Sequence, residues 1–456
     1  MSQEIFSIKS IRKGIGEITG PVFIELLLGT LFGMIDMMML GNYGNETTQA
    51  AGIAAVGITN QLVFIGLSLV QSLNIGATAM VARYLGAKRT DRIESVVKHI
   101  IILTQVFLVI PILIIGLGFT IPVMKFLGAH SDTIAIGSNY FRVIMIGFIF
   151  QAFNFSIASS LRGAGDTRTP MKINITSNLF NVIGNSILIY GLFGAPELGA
   201  TGAAISTAGS HVFASILLTR YIFKDDSTIH INLKNKFKLN KDIIYNLTKI
   251  GIPASLEQIA MRVGILMFTK IIASLGTVAY ATHQIAINIM GLSFTPGQSF
   301  GIAASTLAGR SLGEEDSVLA ERYIKECAKI GAILSFIMAI GFFFFGGQIA
   351  RLYTSNHEVI NEAARVLKLI AFIQPFQGYQ LIIAGGLRGA GDTVWTLIST
   401  FIGILIIRVV LAYYFVKVLG AGLFGAWVAI LIDQFIRWIM INLRFKTDKW
   451  KYISIR

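Results

Sequence analysis

Long stretches without a charged side chain dominate the sequence. Residues 100–124, 173–196, 271–309 and 330–350 contain no Asp, Glu, Lys or Arg. A helix crosses a bilayer with about 20 apolar residues, so each stretch predicts at least one membrane span. A transmembrane β-barrel would need segments of about ten residues that alternate in polarity, and these stretches are continuously apolar. The pattern therefore predicts an all-α polytopic membrane protein.

Turn residues and charge clusters divide the chain into twelve predicted transmembrane helices. The first apolar run has the length of a span and lacks a small-residue cleavage motif, so we expect it to be a retained helix and not a signal peptide. The predicted spans lie near residues 15–40, 50–82, 97–122, 136–161, 169–192, 200–222, 244–274, 278–309, 325–346, 360–386, 394–417 and 422–443.

The composition excludes a soluble multidomain enzyme. Only 14% of the 456 residues are charged, whereas soluble domains carry about 25%. The net charge of +14 does not predict a nucleic-acid partner, because Lys and Arg follow the gaps between spans. The N-terminus, the gaps after even-numbered spans and the C-terminal tail hold 29 of them, against 6 in the opposite gaps. The positive-inside rule then predicts a plasma (inner) membrane protein with both termini in the cytoplasm.

The chain contains an internal duplication. The heptapeptide LRGAGDT occurs at 161–167 and again at 387–393, an offset of 226 residues. Further pairs fall in nearly the same frame, at offsets of 227 and 232: Gln71-Ser72 with Gln298-Ser299, Arg83-x-Leu85-Gly86 with Arg310-x-Leu312-Gly313, and Pro21-x-x-x-Glu25 with Pro253-x-x-x-Glu257.

Each copy holds six predicted spans, an even number, so the two copies have the same orientation in the membrane. We expect two parallel six-helix lobes, at 1–222 and 244–456, with the substrate path between them. Residues 223–243 form a predicted cytoplasmic linker whose lysines, Lys234, Lys236, Lys238 and Lys241, are equally compatible with simple attraction to anionic lipids. For the heptapeptide we favour a turn, in which Gly-Ala-Gly ends one helix and Asp-Thr caps the next.

Two carboxylates share one face of the first predicted span. Glu25 and Asp36 are eleven residues apart, which leaves them about 20° apart around a helix. Ionisable groups in a span are costly and are functional candidates by default, so this face is expected to point into the protein. Asp36 is the candidate for exchanging a proton or an ion against substrate, and a packing carboxylate is the structural alternative.

Four asparagines form a polar stripe on the fifth predicted span. Asn174, Asn178, Asn181 and Asn185 are spaced by 4, 3 and 4 residues, so they share one helical face. Interhelical amide hydrogen bonds explain the first two best. Asn181 and Asn185 are candidates for a site beside Asp36, to which Thr207 of the sixth span could add a hydroxyl.

The second copy lacks the same chemistry. Phe268 occupies the position that matches Asp36 at an offset of 232. Glu257, with Arg262 five residues later, is either a functional acid or part of a buried structural pair. Asp433 and Arg437 are spaced for mutual neutralisation on one helix. Secondary candidates for lining a cavity are Glu25, Glu257, Asn154, Gln374, Gln377 and Gln380.

Other chemistries find no support in the sequence. The single cysteine, Cys327, excludes an intramolecular disulfide and a cysteine-based metal cluster. The six histidines show no recognised metal-ligand spacing. No cofactor and no firm metal site are therefore predicted, and the protein is not expected to be an enzyme.

Four motifs together resemble the multidrug and toxic compound extrusion (MATE) family over essentially the whole chain. They are the first-span segment ending in Asp36, the stretch from Arg83 to Lys88, the duplicated LRGAGDT, and the Ala-Thr-His-Gln-Ile segment that begins at Ala281. The resemblance implies two six-helix lobes in a V shape that export organic cations in exchange for protons or sodium ions.

By this resemblance Asp36 matches the family's first-span carboxylate, and Asn181, Asn185 and Thr207 match positions around its N-lobe cation site. Asn185 stands where many relatives carry a second carboxylate, which weakens the case for sodium. The acids of the C-lobe site in one sodium-coupled branch are absent from the tenth span, and Glu257 lies one turn before its seventh-span acid. We therefore expect H⁺ as the coupling ion, with Na⁺ at Asp36 as the alternative, because Asp36, Asn181, Asn185 and Thr207 together offer several oxygen ligands. The protein is expected to be a monomer surrounded by membrane lipids.

Three other functions would each require a recognisable sequence feature. A lipid-linked precursor flippase of the same wider superfamily would be expected to have a larger cationic groove or extra spans. A channel would require a repeated selectivity loop, and a membrane enzyme a nucleophile with its base. The sequence shows none of these features.

Overall fold

Twelve long helices account for most of the chain. The computed structural model describes residues 7–44, 46–129, 131–232, 235 and 237–454. The long helices in this part are α1 Ile8–Gly41, α2 Glu46–Gly86, α3 Thr90–Gly118, α4 Ser131–Gly163, α5 Arg168–Tyr190, α6 Gly199–Ile222, α7 Lys241–Ala273, α8 Thr277–Gly313, α9 Ser317–Arg351, α10 His357–Gly389, α11 Thr393–Val418 and α12 Gly422–Lys446. They match the twelve predicted spans in order.

Nine of these helices are long and apolar enough to cross a membrane, counting only described residues. The other three are α5, α7 and α8. Both α5 and α7 carry polar groups that the sequence singles out, the asparagine stripe and Glu257. Turns of π-helix interrupt α3 at Thr104–Val109 and α11 at Phe401–Arg408 and Tyr414–Val418. No strand occurs among the described residues, which confirms the all-α prediction.

The duplicated heptapeptide forms the same turn in both copies. Helix α4 ends at Gly163 and α10 at Gly389, and the next glycines, Gly165 and Gly391, have φ of 88° and 90°. A positive φ is accessible to glycine at little cost, which explains the residue type at these two positions. The Asp166 carboxylate accepts a hydrogen bond from the Thr169 amide at 3.0 Å. The predicted glycine turn is therefore confirmed in both copies. The predicted cap is seen at Asp166 only, because Asp392 makes no side-chain cap bond and instead accepts from Arg444 at 2.6 Å.

The C-terminal ends of α2 and α8 pack backbone to backbone through a matched pair of glycines. A Cβ on Gly86 would lie 2.1 Å from the carbonyl oxygen of Arg310, and a Cβ on Gly313 would lie 2.1 Å from that of Arg83. Both positions are therefore closed to any side chain. The contact is reciprocal, because each copy presents the same glycine and the same carbonyl to the other.

The chain forms two compact units. One, the N-terminal unit, comprises Ile24–Val81 and Arg89–Thr248. The other, the C-terminal unit, comprises Ala82–Lys88, Lys249–Arg456 and the described residues before Ile24. The first half of α1 belongs to the C-terminal unit because Ile11, Ile15 and Ile18, spaced along one helical face, pack into the core of that unit. The predicted boundaries at 222 and 244 stay a prediction, and Lys234 and Lys236 of the predicted linker lie outside the described residues.

Candidate functional site

A cavity of about 180 Å³ lies within the N-terminal unit. Its walls come from α1, α2, α4, α5 and α6. One part is apolar and includes Leu40, Val63 and Phe64. The polar part of the lining consists of Asp36, Asn60, Tyr140, Gln151, Asn185, Thr207 and His211. Mixed apolar walls with a few converging polar groups are typical of small-molecule sites.

Asp36 meets neutral hydrogen-bond donors at this cavity. The Asn185 side-chain amide donates to Asp36 Oδ1 at 2.7 Å. The Asn181 amide is satisfied at both ends when its nitrogen faces Asp36, an orientation assigned from the hydrogen-bond network. It then donates to the two carboxylate oxygens at 2.9 and 3.0 Å, and its oxygen accepts from the Thr207 amide at 3.1 Å. The structure thus brings together the four residues that the sequence proposed as a cation-coupling site.

The Asp36 carboxylate carries the only formal negative charge among the described residues that line the cavity, and none of them is a lysine or an arginine. An isolated ionised group away from water is costly, and it favours either a bound cation or protonation. This arrangement can therefore alternate between a charged, cation-binding state and a neutral state.

Glu25 shares the predicted face of α1 but has different partners. Arg162 of the first heptapeptide donates to Glu25 Oε1 at 2.6 Å, and the Asn174 amide donates to the same oxygen. Glu25 is buried, and it is not among the residues that line the cavity. Its charge is compensated by the arginine, which makes it a structural group in this geometry. Asn174 indeed makes the interhelical amide bond expected of it.

Glu257 pairs with Arg388, a partner that the sequence analysis did not name, and a buried structural pair is therefore observed. Arg388 of the second heptapeptide donates to Glu257 Oε1 at 2.5 Å. Thr396 donates to Oε2 at 2.8 Å, and Thr400 to Oε1 at 3.1 Å. Arg262 lies five residues further along α7, about 140° around the helix from Glu257. The Glu257 carboxylate thus accepts from three donors, one of them charged.

Near the position that matches Asp36, the C-terminal unit carries two arginines and one aspartate, so this region has a net positive formal charge. Phe268 is buried there against His283, and the Arg408 guanidinium lies over its ring at 5.9 Å. Asp433 is fully buried and accepts from Arg408 at 2.5 Å and from Arg437 at 2.9 Å. The predicted Asp433–Arg437 pair is therefore confirmed and extended by a second arginine.

The remaining secondary candidates do not converge on the cavity. Gln374, Gln377 and Gln380 are buried on α10 in the C-terminal unit, and each has at least one polar atom without a partner among the described residues. Asn154 lies on α4, where its amide nitrogen donates to the His211 carbonyl oxygen at 2.9 Å. Asn154 thus supports the cavity wall from behind.

Four polar lining residues escaped the sequence analysis: Asn60, Tyr140, Gln151 and His211. Two features of the sequence point to two of these residues, Gln151 and His211. Gln151 and Gln377 stand at the same offset of 226 residues as the heptapeptide. His211 follows Thr207 by four residues, which places the two on one helical face.

Comparison with known proteins places this geometry in a family. The sequence model of the MatE family matches residues 21–187 and 253–414, one stretch in each copy of the duplication. The chain is 30% identical to a probable multidrug resistance protein, NorM, of Thermotoga maritima, covering 97% of this chain and 94% of the relative. It is 27% identical to the uncharacterized transporter YisQ of Bacillus subtilis, covering 99% of both chains.

Solved structures share the fold. A MATE structure in the bent conformation superposes with a TM-score of 0.88 at 24% identity, covering 96% of this chain and 95% of that one. An outward-facing multidrug resistance MATE family transporter gives a TM-score of 0.87 at 25% identity, covering 96% and 97%. The twelve-helix architecture is common to these proteins.

Proposed function

The chain belongs to the MatE family of multidrug efflux transporters, and from this premise we propose that it is an antiporter that exports organic cations in exchange for protons. The proposal places it in the plasma membrane with both termini in the cytoplasm, as a monomer among lipids. Two of the related proteins are named as multidrug resistance proteins, which favours drug export over a precursor flippase or an enzyme.

One observation carries the proposal: the Asp36 carboxylate faces a cavity and is bonded by neutral amides instead of by a fixed cation. The contrast with Glu25 and Glu257 is informative, because each of those acids has an arginine within 2.6 Å. Each of these two glutamates is paired with a fixed arginine, whereas Asp36 has no arginine or lysine beside it in the described cavity lining and can bind a mobile partner. An organic cation and a proton then compete for the same carboxylate.

Export follows from this competition. A cation from the cytoplasm binds while Asp36 is ionised, and a proton from outside neutralises the carboxylate and removes the attraction. Loss of that proton to the cytoplasm resets the site. A ligand shifts a conformational equilibrium only through its different affinity for the two states, and the charge of Asp36 provides that difference.

The hydrogen bond from Asn185 to Asp36 supports protons over sodium. Sodium, a hard cation, is coordinated through oxygen atoms, and Asn185 turns its side-chain nitrogen toward the carboxylate at 2.7 Å. The Asn185 amide oxygen could become a ligand only after this amide turns over. Protonation requires no such rearrangement.

Transport in sodium-free proteoliposomes tests the coupling ion. We expect an inward proton gradient alone to drive export of a cationic dye such as ethidium. A flux that appears only under an inward sodium gradient, with the pH equal on both sides, would contradict the proton reading. Asp36→Asn is nearly isosteric but cannot cycle its charge, so we expect it to abolish gradient-driven export while the protein stays folded. Export at the wild-type rate by this variant would remove Asp36 from the mechanism.

A further inference from the structure

A histidine lines the same cavity as Asp36. His211 lies on α6, four residues and one helical turn beyond Thr207. The helix α6 approaches α4 closely beside it, since a Cβ on Gly147 would lie 2.9 Å from the Ala208 Cβ. One turn further along α4, Gln151 lines the cavity together with His211.

The backbone of His211 is anchored from outside the cavity. Its carbonyl oxygen accepts from the Asn154 amide at 2.9 Å and from the Ser215 hydroxyl at 2.9 Å. The single proton of the Ser215 hydroxyl can instead be donated to Asn154 Oδ1, 2.7 Å away, so the three residues form a small network between α4 and α6. In the part of the chain that the structure describes, the side chains that bond to His211 reach its carbonyl oxygen and not its imidazole. The imidazole is therefore available to a group bound in the cavity that His211 lines.

The groups around the imidazole are few. Asp36 on α1 and Tyr140 on α4 are the other titratable residues of the lining, and α2 and α5 contribute only the amides of Asn60 and Asn185. A tyrosine titrates near pH 10 and a histidine near pH 6.5 in their ordinary states. Glu25 on α1 and Arg162 on α4 form an ion pair, so together they add no net charge to these helices. Asp36 and His211 are thus the two described lining groups whose protonation changes the charge of the cavity below about pH 7.

We propose that His211 is a second proton-binding site of the cavity, so that one bound organic cation displaces two protons. This inference rests on the proposed function. With both groups deprotonated the pair carries one negative charge and attracts a cation. With one proton it is neutral, and with two it carries one positive charge and repels the cation. The first proton therefore removes the electrostatic attraction for the cation, and the second adds electrostatic repulsion.

The charge balance of the cycle follows. One monovalent cation leaves while two protons enter, so each cycle moves one net positive charge into the cell. Such a cycle is driven by a membrane potential that is negative inside. A cycle with one proton would move no net charge, and the potential would leave its rate unchanged.

The experiment measures ethidium binding to purified full-length protein from pH 4.5 to 8.5, together with potential-driven export in proteoliposomes. For the wild type we expect the logarithm of Kd against pH to approach a slope of two protons at low pH, and export to accelerate with an inside-negative potential set by valinomycin and potassium. His211→Gln and His211→Asn should both reduce the slope to one and make export insensitive to potential. His357→Gln is the matched control, because His357 is exposed at the start of α10.

The outcomes separate the inference from the function on which it rests. A slope of two protons in either folded His211 variant, or a slope of one in the wild type, overturns the second proton site while Asp36 stands. If Asp36→Asn leaves both ethidium affinity and its pH dependence unchanged, the proposed function itself fails. Size-exclusion profiles identify misfolded protein, and two independent replacements of His211 keep the comparison decisive.

Discussion

Arg162 donates to Glu25 at 2.6 Å, and the second copy of the sequence repeats this pair as Arg388 and Glu257 at 2.5 Å. The two duplicated motifs, Pro-x-x-x-Glu and LRGAGDT, are therefore partners of one another in each half. A third residue of each copy joins this contact: Asn174 donates to Glu25, and Thr400, 226 residues later, donates to Glu257. The repeated motifs encode one repeated contact.

Breaking this contact is expected to destabilise the protein without removing the cavity. Glu257→Gln leaves the partly buried Arg388 beside an uncharged amide. Removal of one partner of a fully buried pair costs about 3–5 kcal/mol, which is the upper bound for this pair. Thermal unfolding in detergent measures the effect. The double variant Glu257→Gln with Arg388→Gln should lose less than the sum of the single variants, and the exposed Asp226→Asn should lose nothing measurable. Additive losses would show that the two residues do not interact.

Asp433 is expected to be more sensitive than either of its arginines. It is fully buried and accepts hydrogen bonds from both Arg408 and Arg437. Asp433→Asn leaves two guanidinium groups without the carboxylate to which both are hydrogen-bonded, and we expect a loss of about 3–5 kcal/mol. The yield of monodisperse protein measures it. Adding Arg437→Met should recover part of that yield, since one unpaired charge is removed. A double variant worse than the single variant contradicts this reading.

The glycine pair at the ends of α2 and α8 predicts a steric effect. Gly86→Ala places a methyl group 2.1 Å from the Arg310 carbonyl oxygen, so the two helices must separate. We expect Gly86→Ala and Gly313→Ala to lower the melting temperature to a similar extent. Gly118→Ala is the control, because a Cβ there meets nothing within 4 Å. Equal stability of all three variants would show that the close packing is not needed.

Orientation in the membrane is tested by labelling single cysteines in a Cys327→Ser background. Lys238 is exposed before α7 and Glu197 is exposed between α5 and α6. The Lys and Arg bias predicts that Lys238 faces the cytoplasm and Glu197 the outside. A membrane-impermeant maleimide should therefore label Glu197→Cys in intact cells, and Lys238→Cys only after permeabilisation. The reverse pattern would invert the topology.

The helices could be predicted from the sequence because their signals are local. A bilayer span requires a long apolar run, and each turn between spans carries glycine or charge. The grouping of Asp36 with Asn181 and Asn185 was also accessible, since helical periodicity places the asparagines on one face and the cost of a buried acid directs it inward. Each step needed only spacing along one helix.

The partners of the buried acids could not be obtained in this way. Glu257 and Arg388 are 131 residues apart, and spacing on α7 suggested Arg262 instead. His211 was considered only as a metal ligand, because nothing along the chain shows that α4 and α6 pack closely at Gly147 and Ala208. Contacts between helices depend on which faces meet, and a single sequence does not state this.

The reciprocal packing of Gly86 and Gly313 has the geometry of an isologous dimer interface. Residue i of one copy meets residue j of the other, and j meets i, as in two identical subunits related by a two-fold axis. Because one chain carries both copies, the two sides of this contact need not be identical elsewhere, and one copy carries an acid at Asp36 where the other carries the aromatic ring of Phe268.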